Sequence, residues 1–321
     1  MSVPERISIL LSTHNGAAFL DAQLRSIRNQ TIPDWLLIVH DDGSTDETCA
    51  IVARHSEADQ RVTVLDERMA GGVAETYLAL LSRVDTPYFA FADQDDVWRR
   101  DKLAAQLSRL REVGLDDPDQ VGLVSCDAQP TGPTLVPRGR TVRDRQAYRS
   151  FDEVTLGRLL FQNPIPGNTI LGTRALAMLA SGVLAHTDHM ASVAMHDWWT
   201  AILASAHGRL TGIENTGVLY RQHGANARGA PSGTRDRIGN FGNRPLSTRT
   251  STLVAPAVAH SRLARAVLPS SVIDTHRGLL DSVEACGAEP EPSRRALLEC
   301  WRQGGYVRPL PGQLALIAGG R

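Results

Sequence analysis

Asp93, Asp95 and Asp96 place three carboxylates within four positions in the stretch ADQDDVW, directly behind the apolar run TPYFAFA. Like charges that close repel and raise one another's pKa, so such a cluster facing a crevice is costly unless a cation occupies it. Hard oxygen ligands suit Mg²⁺ or Mn²⁺, which are commonly held by one or two protein carboxylates and the phosphate oxygens of a bound substrate. A helix N-terminus in DDVWRRDKLAAQL accounts for Asp95 or Asp96 through the helix dipole, but leaves Asp93 unexplained. Two more clusters, STHNG (Ser12 to Gly16) and DDGSTD (Asp41 to Asp46), each read alone as strand-to-helix turns with a capping Ser, Thr or Asn. Repeated at successive strand ends, they begin to line one crevice.

The elements that must hold these residues alternate short β-branched runs with helical patterns, the signature of βαβ units and a parallel sheet. RISILLS, DWLLIVHDD, RVTVLDE and PYFAFAD read as strands, and AAFLDAQLRSIRNQ, DETCAIVARHS and GVAETYLALLSRV as the helices between them. The acidic groups therefore sit where strands end, the place at which open α/β sheets bind ligands. A second unit begins near VGLVSCDA, with Pro130, Pro133 and Pro137 marking loops or a strand excursion. Residues 151 to about 223 read as α+β and 245–321 as mainly helical, broken at Pro256, Pro269, Pro290 and Pro309. HGANARGAPSGTRDRIGNFGNRP, dominated by Gly, Asn, Pro and Ser, is expected to be a mobile linker or lid.

Composition narrows the function classes. With 321 residues, 42% of them hydrophobic, and a formal net charge of −1, the chain reads as an ordinary soluble globular protein rather than a nucleic-acid binder. Four cysteines without C-x-x-C spacing indicate neither a zinc site nor a disulfide framework, and a reducing cytoplasm fits them best. The apolar run Ile7 to Leu11 is too short for a signal peptide or a membrane span. Charge is uneven, however: from Arg221 to Arg265 there are eight arginines and one acidic residue, Asp236. That segment reads either as a surface for phosphate or an anionic membrane, or as a solvated Arg-rich loop.

ISILLSTHNGAAFLDAQLRSIRNQT, LLIVHDDGSTDET, FADQDDVWRRDKL, NPIPGNT and HDWWTAILASAHG with VLYRQHGAN together resemble family 2 glycosyltransferases of the A-type fold, most of all the rhamnosyltransferase-type branch. The resemblance covers roughly residues 6 to 228, and its specificity comes from several motifs in the right order. It implies an α/β fold, a Rossmann-like, mostly parallel central sheet flanked by helices with a mainly helical C-terminal extension. The implied catalytic domain spans 1–230, with a nucleotide-binding half to about 128 and an acceptor half over about 129–230, followed by a flexible segment and helical extension over 231–321.

By the same resemblance, Ser12, His14 and Asp42 fall where family members bind the nucleotide base and ribose, with His14 in place of the more usual stacking tyrosine. Asp93 matches the first Asp of the D-x-D motif, at the ribose or metal, and Asp95 the last, the metal ligand; Asp96 is expected to cap the following helix. Gly72, in ERMAGGVAETY, lies in the phosphate- and sugar-proximal turn, although Met69 and Ala70 stand where an Asn is common. Asp197 of HDWW matches the catalytic base, which is needed because an acceptor hydroxyl must lose its proton as it attacks the anomeric carbon. Taken alone, Asp197 reads as a helix cap with Trp198 and Trp199 as core. His223 matches a late metal- or diphosphate-contacting histidine, Arg221 is placed to salt-bridge the site or hold the diphosphate, and Asn168, Thr169, His196 and Trp198 fall on the acceptor side.

The implied activity is inverting, Mn²⁺- or Mg²⁺-dependent transfer from a nucleotide-diphosphate sugar, dTDP-L-rhamnose being favoured, to a hydroxyl of a glycan or lipid-linked glycan in surface polysaccharide synthesis. The expected location is the cytoplasm, with peripheral contact at the inner membrane face. Two other readings have distinct signatures. A nucleotidyltransferase should carry a basic Gly-rich loop after strand one, where STHNGAAF has no Lys or Arg. A catalytically silent sugar-nucleotide-binding protein should have lost the metal or base carboxylates, and both are retained.

Overall fold

In chain order the elements are β1 (Ile7–Thr13), α1 (Ala17–Arg28), β2 (Trp35–Asp41), α2 (Thr48–Ala58), β3 (Val62–Leu65), α3 (Val73–Leu81), β4 (Tyr88–Ala92), β5 (Val97–Trp98) and α4 (Lys102–Glu112). They continue with β6 (Leu123–Thr131), α5 (Val142–Arg145), α6 (Leu156–Phe161), β7 (Ile170–Thr173), α7 (Arg174–Ser181), α8 (His196–Ala206), β8 (Leu210–Arg221), α9 (Leu246–Val267) and α10 (Ser270–Ala288). The computed structural model describes residues 5–67, 69, 72–146, 148, 150–185, 190, 192–224 and 246–288.

Period-two alternation buries both faces of the sheet. In β1, Ile7, Ile9 and Leu11 join one apolar cluster while Leu10 joins the other; in β4, Tyr88, Ala90 and Ala92 oppose Phe89 and Phe91 in the same way. The eight strands run in the order β3-β2-β1-β4-β7-β6-β8-β5. β1 to β4 are parallel, with Leu11 opposite Val39 and Ala92. β7 lies antiparallel between β4 and β6, and it joins the regular first half to the second. Its Gly172 lies against the Phe89 ring, where a Cβ would come within 2.4 Å of the ring.

Helices cover the two faces according to their apolar stripes. α1 buries Leu20, Leu24 and Ile27, and α4 buries Leu103, Leu107 and Leu110, both at helical spacing against one face. α8 is apolar nearly all round, with Trp199, Ala201, Ile202, Leu203 and Ala204 fully buried, so it is a core helix rather than a surface one.

The C-terminal helices belong to the same core. Val254, Ala257, Leu263, Leu280 and Val283 of α9 and α10 join the cluster that holds α6 and α8. This corrects the reading of Arg221 to Arg265 as one solvated Arg-rich loop. Its second half is the packed helix α9, Arg221 is buried, and Arg265 is paired with Glu284 at 2.7 Å and with Asp281. The first half, 225–245, lies outside the described residues, as do the tail residues from 289 on. No helix among the described residues is long and apolar enough to cross a membrane.

Candidate active site

The donor side is two strand-end turns bolted together. Thr13 Oγ1 donates to Asp41 Oδ1 at 2.9 Å, and Asp41 also accepts from the Ser44 hydroxyl at 2.6 Å and backbone N–H at 2.8 Å. Asn15, in the left-handed region at φ 46°, receives the Thr45 N–H on its Oδ1 at 2.8 Å, a conformation Asn tolerates better than most residues. These bonds consume Asp41 and leave Asp42 exposed beside His14, whose Nδ1 lies 2.9 Å from the Asp42 carbonyl. Ser12, half-buried, donates its N–H to the Tyr77 hydroxyl at 3.4 Å. Gly72 caps α3 at a spot where a Cβ would meet nothing within 4 Å.

At the end of β4 the carboxylates take three different environments. Asp95 Oδ2 meets His223 Nε2 at 2.8 Å, tying the first half of the chain to the end of β8. Asp93 is pushed up to about 8 by burial, and then by the neighbouring Asp95 and Asp197 carboxylates. Asp96 has no exposed surface; it accepts the Arg221 N–H at 2.9 Å and the Asn168 amide, and burial ahead of Asp93 and Asp95 holds its pKa well above the usual carboxylate range. The expected helix-capping role of Asp96 is therefore corrected. β5 intervenes, α4 begins only at Lys102, and Asp96 braces the second half of the site instead.

Arg221 is occupied as a brace too: its Nε donates to the Asp95 carbonyl at 2.6 Å, another guanidinium nitrogen donates to the Pro133 carbonyl, and its head lies over Phe19 at 4.6 Å. Asn168 and Thr169 are fully buried, with the Thr169 hydroxyl donating to the Pro166 carbonyl at 2.6 Å. Both stand behind the site as frame. Trp198 turns its indole N–H to the Leu159 carbonyl and its ring edge to His260 of α9 at 4.5 Å.

Asp197 sits in the first turn of α8, whose N-cap is Met195. Its Oδ2 accepts the Gly167 N–H at 3.1 Å and its Oδ1 the Trp198 N–H at 2.6 Å, so two backbone N–H groups orient the carboxylate. His196 before it is buried, stacked on Tyr77 at 4.0 Å.

Four neighbours were not legible as site residues. Gln94, between the acidic residues, accepts the His14 N–H at 2.9 Å and donates to the His14 carbonyl at 3.0 Å. Tyr77 donates to the Ala92 carbonyl at 2.7 Å and so joins the tips of β1 and β4. Phe19 lies beneath His223, with ring centres 4.5 Å apart. Lys102 is buried with its ammonium 3.8 Å over Trp98, and burial lowers its pKa to about 8 against the opposing pull of Cys126 and Asp96. Within β-α-β spacing, an aromatic on a helix and a lysine in DKL read as core and surface; only the tertiary fold turns them toward the site.

A Rossmann-like sheet with acidic side chains gathered at the carboxyl ends of its strands places them where open α/β sheets bind ligands. Residues 8–149 match the family described as Glycosyl transferase family 2. The chain is 32% identical over 106 residues to the putative teichuronic acid biosynthesis glycosyltransferase TuaG of Bacillus subtilis, covering 33% of this chain and 42% of that protein. It is 33% identical over 104 residues to the UDP-Glc:alpha-D-GlcNAc-diphosphoundecaprenol beta-1,3-glucosyltransferase WfgD of Escherichia coli, 32% of this chain and 40% of that one. The match thus spans about two fifths of those two relatives. A longer one, 25% identical over 227 residues, reaches the dTDP-rhamnosyl transferase RfbG of Shigella flexneri and covers 68% of this chain and 74% of RfbG. In fold, the chain is similar to S. aureus TarS 1–349 in complex with UDP, with a TM-score of 0.54 and 17% identity over 94% of this chain and 93% of that one.

Proposed function

We propose that the chain is an inverting glycosyltransferase that moves a sugar from a nucleotide-diphosphate donor to a hydroxyl of a glycan or lipid-linked glycan in surface polysaccharide synthesis. The observation that carries this reading is that one turn joins the acid cluster to Asp197: the Asn168 amide donates to Asp96, and the N–H of the preceding Gly167 donates to Asp197, on a helix a hundred residues later, at 3.1 Å. A donor-side acid cluster and an oriented base thus share one crevice. Ser12, His14 and Asp42 would receive the nucleoside, Asp93 the ribose or metal, and Gly72 the diphosphate side.

The acid cluster suits a divalent ion. Asp95 and His223, 2.8 Å apart, would offer it one oxygen and one nitrogen, and substrate phosphates would supply further ligands, as is common for Mn²⁺ or Mg²⁺. When bound, such an ion supplies charge neutralisation at the leaving diphosphate. The chain's own work is to orient and to move a proton: Asp197, fixed through Gly167 and Trp198, takes the acceptor hydroxyl's proton as the hydroxyl attacks from the face opposite the diphosphate. The RfbG likeness supports dTDP-L-rhamnose as donor. A lipid-linked acceptor would bring the protein to the cytoplasmic membrane face.

Thermal stabilisation by dTDP-L-rhamnose, UDP-glucose, UDP-GlcNAc and GDP-mannose, each with and without Mn²⁺, tests this reading, since a ligand of the native state raises apparent stability with its affinity. One donor should stabilise the wild-type chain in an Mn²⁺-dependent way, and Asp95→Ala should lose that dependence. Equal, metal-independent binding by both proteins would defeat the assignment of Asp95.

A further inference from the structure

Four arginines from three stretches of the chain line one cavity of about 560 Å³ where α1, α2 and the start of β3 meet: Arg25 and Arg28 of α1, Arg54 of α2, and Arg61 just before β3. Asp21 and His55 share its wall. Arg28 closes α1 and Arg61 immediately precedes β3, so the cavity lies toward the amino-terminal ends of the parallel strands, opposite the ends that carry Asp42, Asp93 and Asp95. It is therefore no part of the donor crevice.

Two carboxylates pair with these arginines. Asp59 accepts from Arg61 Nε at 3.0 Å and Nη2 at 2.7 Å, and lies 3.4 Å from Arg28 Nε. Asp21 takes Arg25 at 2.8 Å and His55 Nε2 at 2.9 Å. Arg54 acts on Asp21 through its field, without an ion pair among the described residues. Four guanidinium groups against two carboxylates leave a surplus of two positive charges before His55 is counted. The negative end of the helix dipole accounts for Arg25 and Arg28 in the last turn of α1. It does not account for Arg54, which precedes the last turn of α2, or for Arg61, which lies outside the helix.

Arg61 is the fixed member of the group. Its guanidinium lies 3.7 Å over Trp35, holds Asp59 by two nitrogens and donates to the Pro33 carbonyl at 2.7 Å. Arg25 and Arg54 are exposed, on long side chains that can turn toward a ligand seated against Arg61. The guanidinium fork matches the oxygens of a phosphate, to which it donates paired, charge-assisted hydrogen bonds. We propose that this cavity is a second anion site, which takes a phosphate-bearing ligand of at least two negative charges, a phosphomonoester or a diphosphate, between Arg61 and the exposed Arg25 and Arg54. Such a ligand balances the surplus charge, and the proposal stands apart from the glycosyl-transfer reading. A soluble phosphate compound and the headgroup of an anionic lipid offer the same chemistry.

Titration calorimetry of the full chain with pyrophosphate, at low salt and with EDTA present, reads this site without the divalent ion that the carboxylates of the crevice suit. Pyrophosphate should bind, and its affinity should fall as NaCl is raised, because an open charged site is screened. The double variant Arg25→Gln, Arg54→Gln should bind at least 10-fold more weakly at an unchanged melting temperature, since both side chains are exposed. Asp95→Ala should bind as the wild type does. So should Arg83→Gln, Arg277→Gln, which removes as much charge from exposed positions elsewhere. Co-sedimentation with phosphatidylcholine vesicles, with and without phosphatidic acid, identifies the source. Recruitment by phosphatidic acid that the Arg25, Arg54 variant loses supports a lipid headgroup; pyrophosphate binding without such recruitment supports a soluble ligand. A wild-type chain that responds in neither arm, or an Arg25, Arg54 variant that matches it in both, overturns the proposal. Loss of pyrophosphate binding in Asp95→Ala, or an equal loss in the Arg83, Arg277 control, overturns it as well, by returning the binding to the donor crevice or to net charge alone.

Discussion

Ser12, His14, Asp42, Asp93 and Asp95 all lie within three residues of the end of a parallel strand, and the turns that carry them are locked to one another by side-chain-to-backbone bonds. Asp197, Asn168 and His223 instead come from a helix, a short turn before the antiparallel strand β7, and the exit of β8. Their placement depends on a core that includes α6, α8, α9 and α10. A turn-built half fails locally when one bond is removed. A core-built half transmits damage, because its site residues share backbone with packed elements. Changes in the first half should therefore mainly lower donor affinity, and changes in the second should lower turnover or stability.

The largest effect should come from the acceptor half. Asp197→Asn keeps an oxygen to accept the Gly167 N–H, so the fold and donor affinity should be nearly unchanged while turnover falls about 10²- to 10⁴-fold, the usual worth of a general base. Calorimetric donor titration and nucleotide release separate the two quantities. Turnover near the wild-type level would leave Asp197 as a first-turn helix residue and no more.

The same contrast explains what the sequence discloses. Period-two strands and helical stripes place β1 to β4 and their helices, and Asp-rich turns at their ends mark the donor side, because turn chemistry is local. The second half yields its helices and motifs but not their roles. Asp96 looks like a helix cap until β5 and the Arg221 backbone claim it. Trp198 reads from its motif as acceptor side or as core, and its packing against His260, 62 positions later, has no local signal. An antiparallel β7 inserted between β4 and β6 leaves no local signal at all, since its pairings join residues from Tyr88 to Thr173 and from Leu123 to Gly172.

That inserted strand offers the next test. A methyl at Gly172 would stand 2.4 Å from a Phe89 ring atom and 3.3 Å from Leu176 Cδ2. Phe89 is fully buried and cannot step aside. Gly172→Ala should cost about 1–3 kcal/mol, the range for overpacking a filled core, seen as a lower urea midpoint at unchanged slope. An unaltered midpoint would mean that the junction between the halves is looser than its packing implies.

Acid should loosen the acceptor half first. Burial lowers His196 to about 3 and His260 to about 4, from an ordinary value of 6.5. Between those values the unfolded chain binds protons that the folded chain refuses, so stability is fully present above about pH 6.5 and is lost as pH falls toward 3. The doubly substituted His196→Phe, His260→Phe chain should show a flatter dependence of melting temperature on pH from 7 to 5. An equal slope would assign the acid sensitivity elsewhere.

Gln94→Ala should give the smallest effect, and it sharpens the division most. Gln94 holds the His14 backbone by two bonds, of 2.9 and 3.0 Å, at an exposed edge of the donor side. Each such bond contributes on the order of 0.5–1 kcal/mol when water can replace it, so donor affinity should fall about 2- to 10-fold at unchanged turnover of bound donor. Gly16→Ala gives a second route to the same defect: its new Cβ would lie 2.2 Å from Gln94 Oε1, the end of a flexible side chain that must swing away from His14. Because both substitutions break one latch, the double variant should bind donor no worse than the weaker single variant, a failure of additivity that a thermodynamic cycle measures directly. Fully additive losses would mean that Gly16 and Gln94 act separately. A 10-fold loss of turnover with affinity intact would mean that the donor-side latch reaches across to Asp197, and the two halves would then have to be treated as one unit.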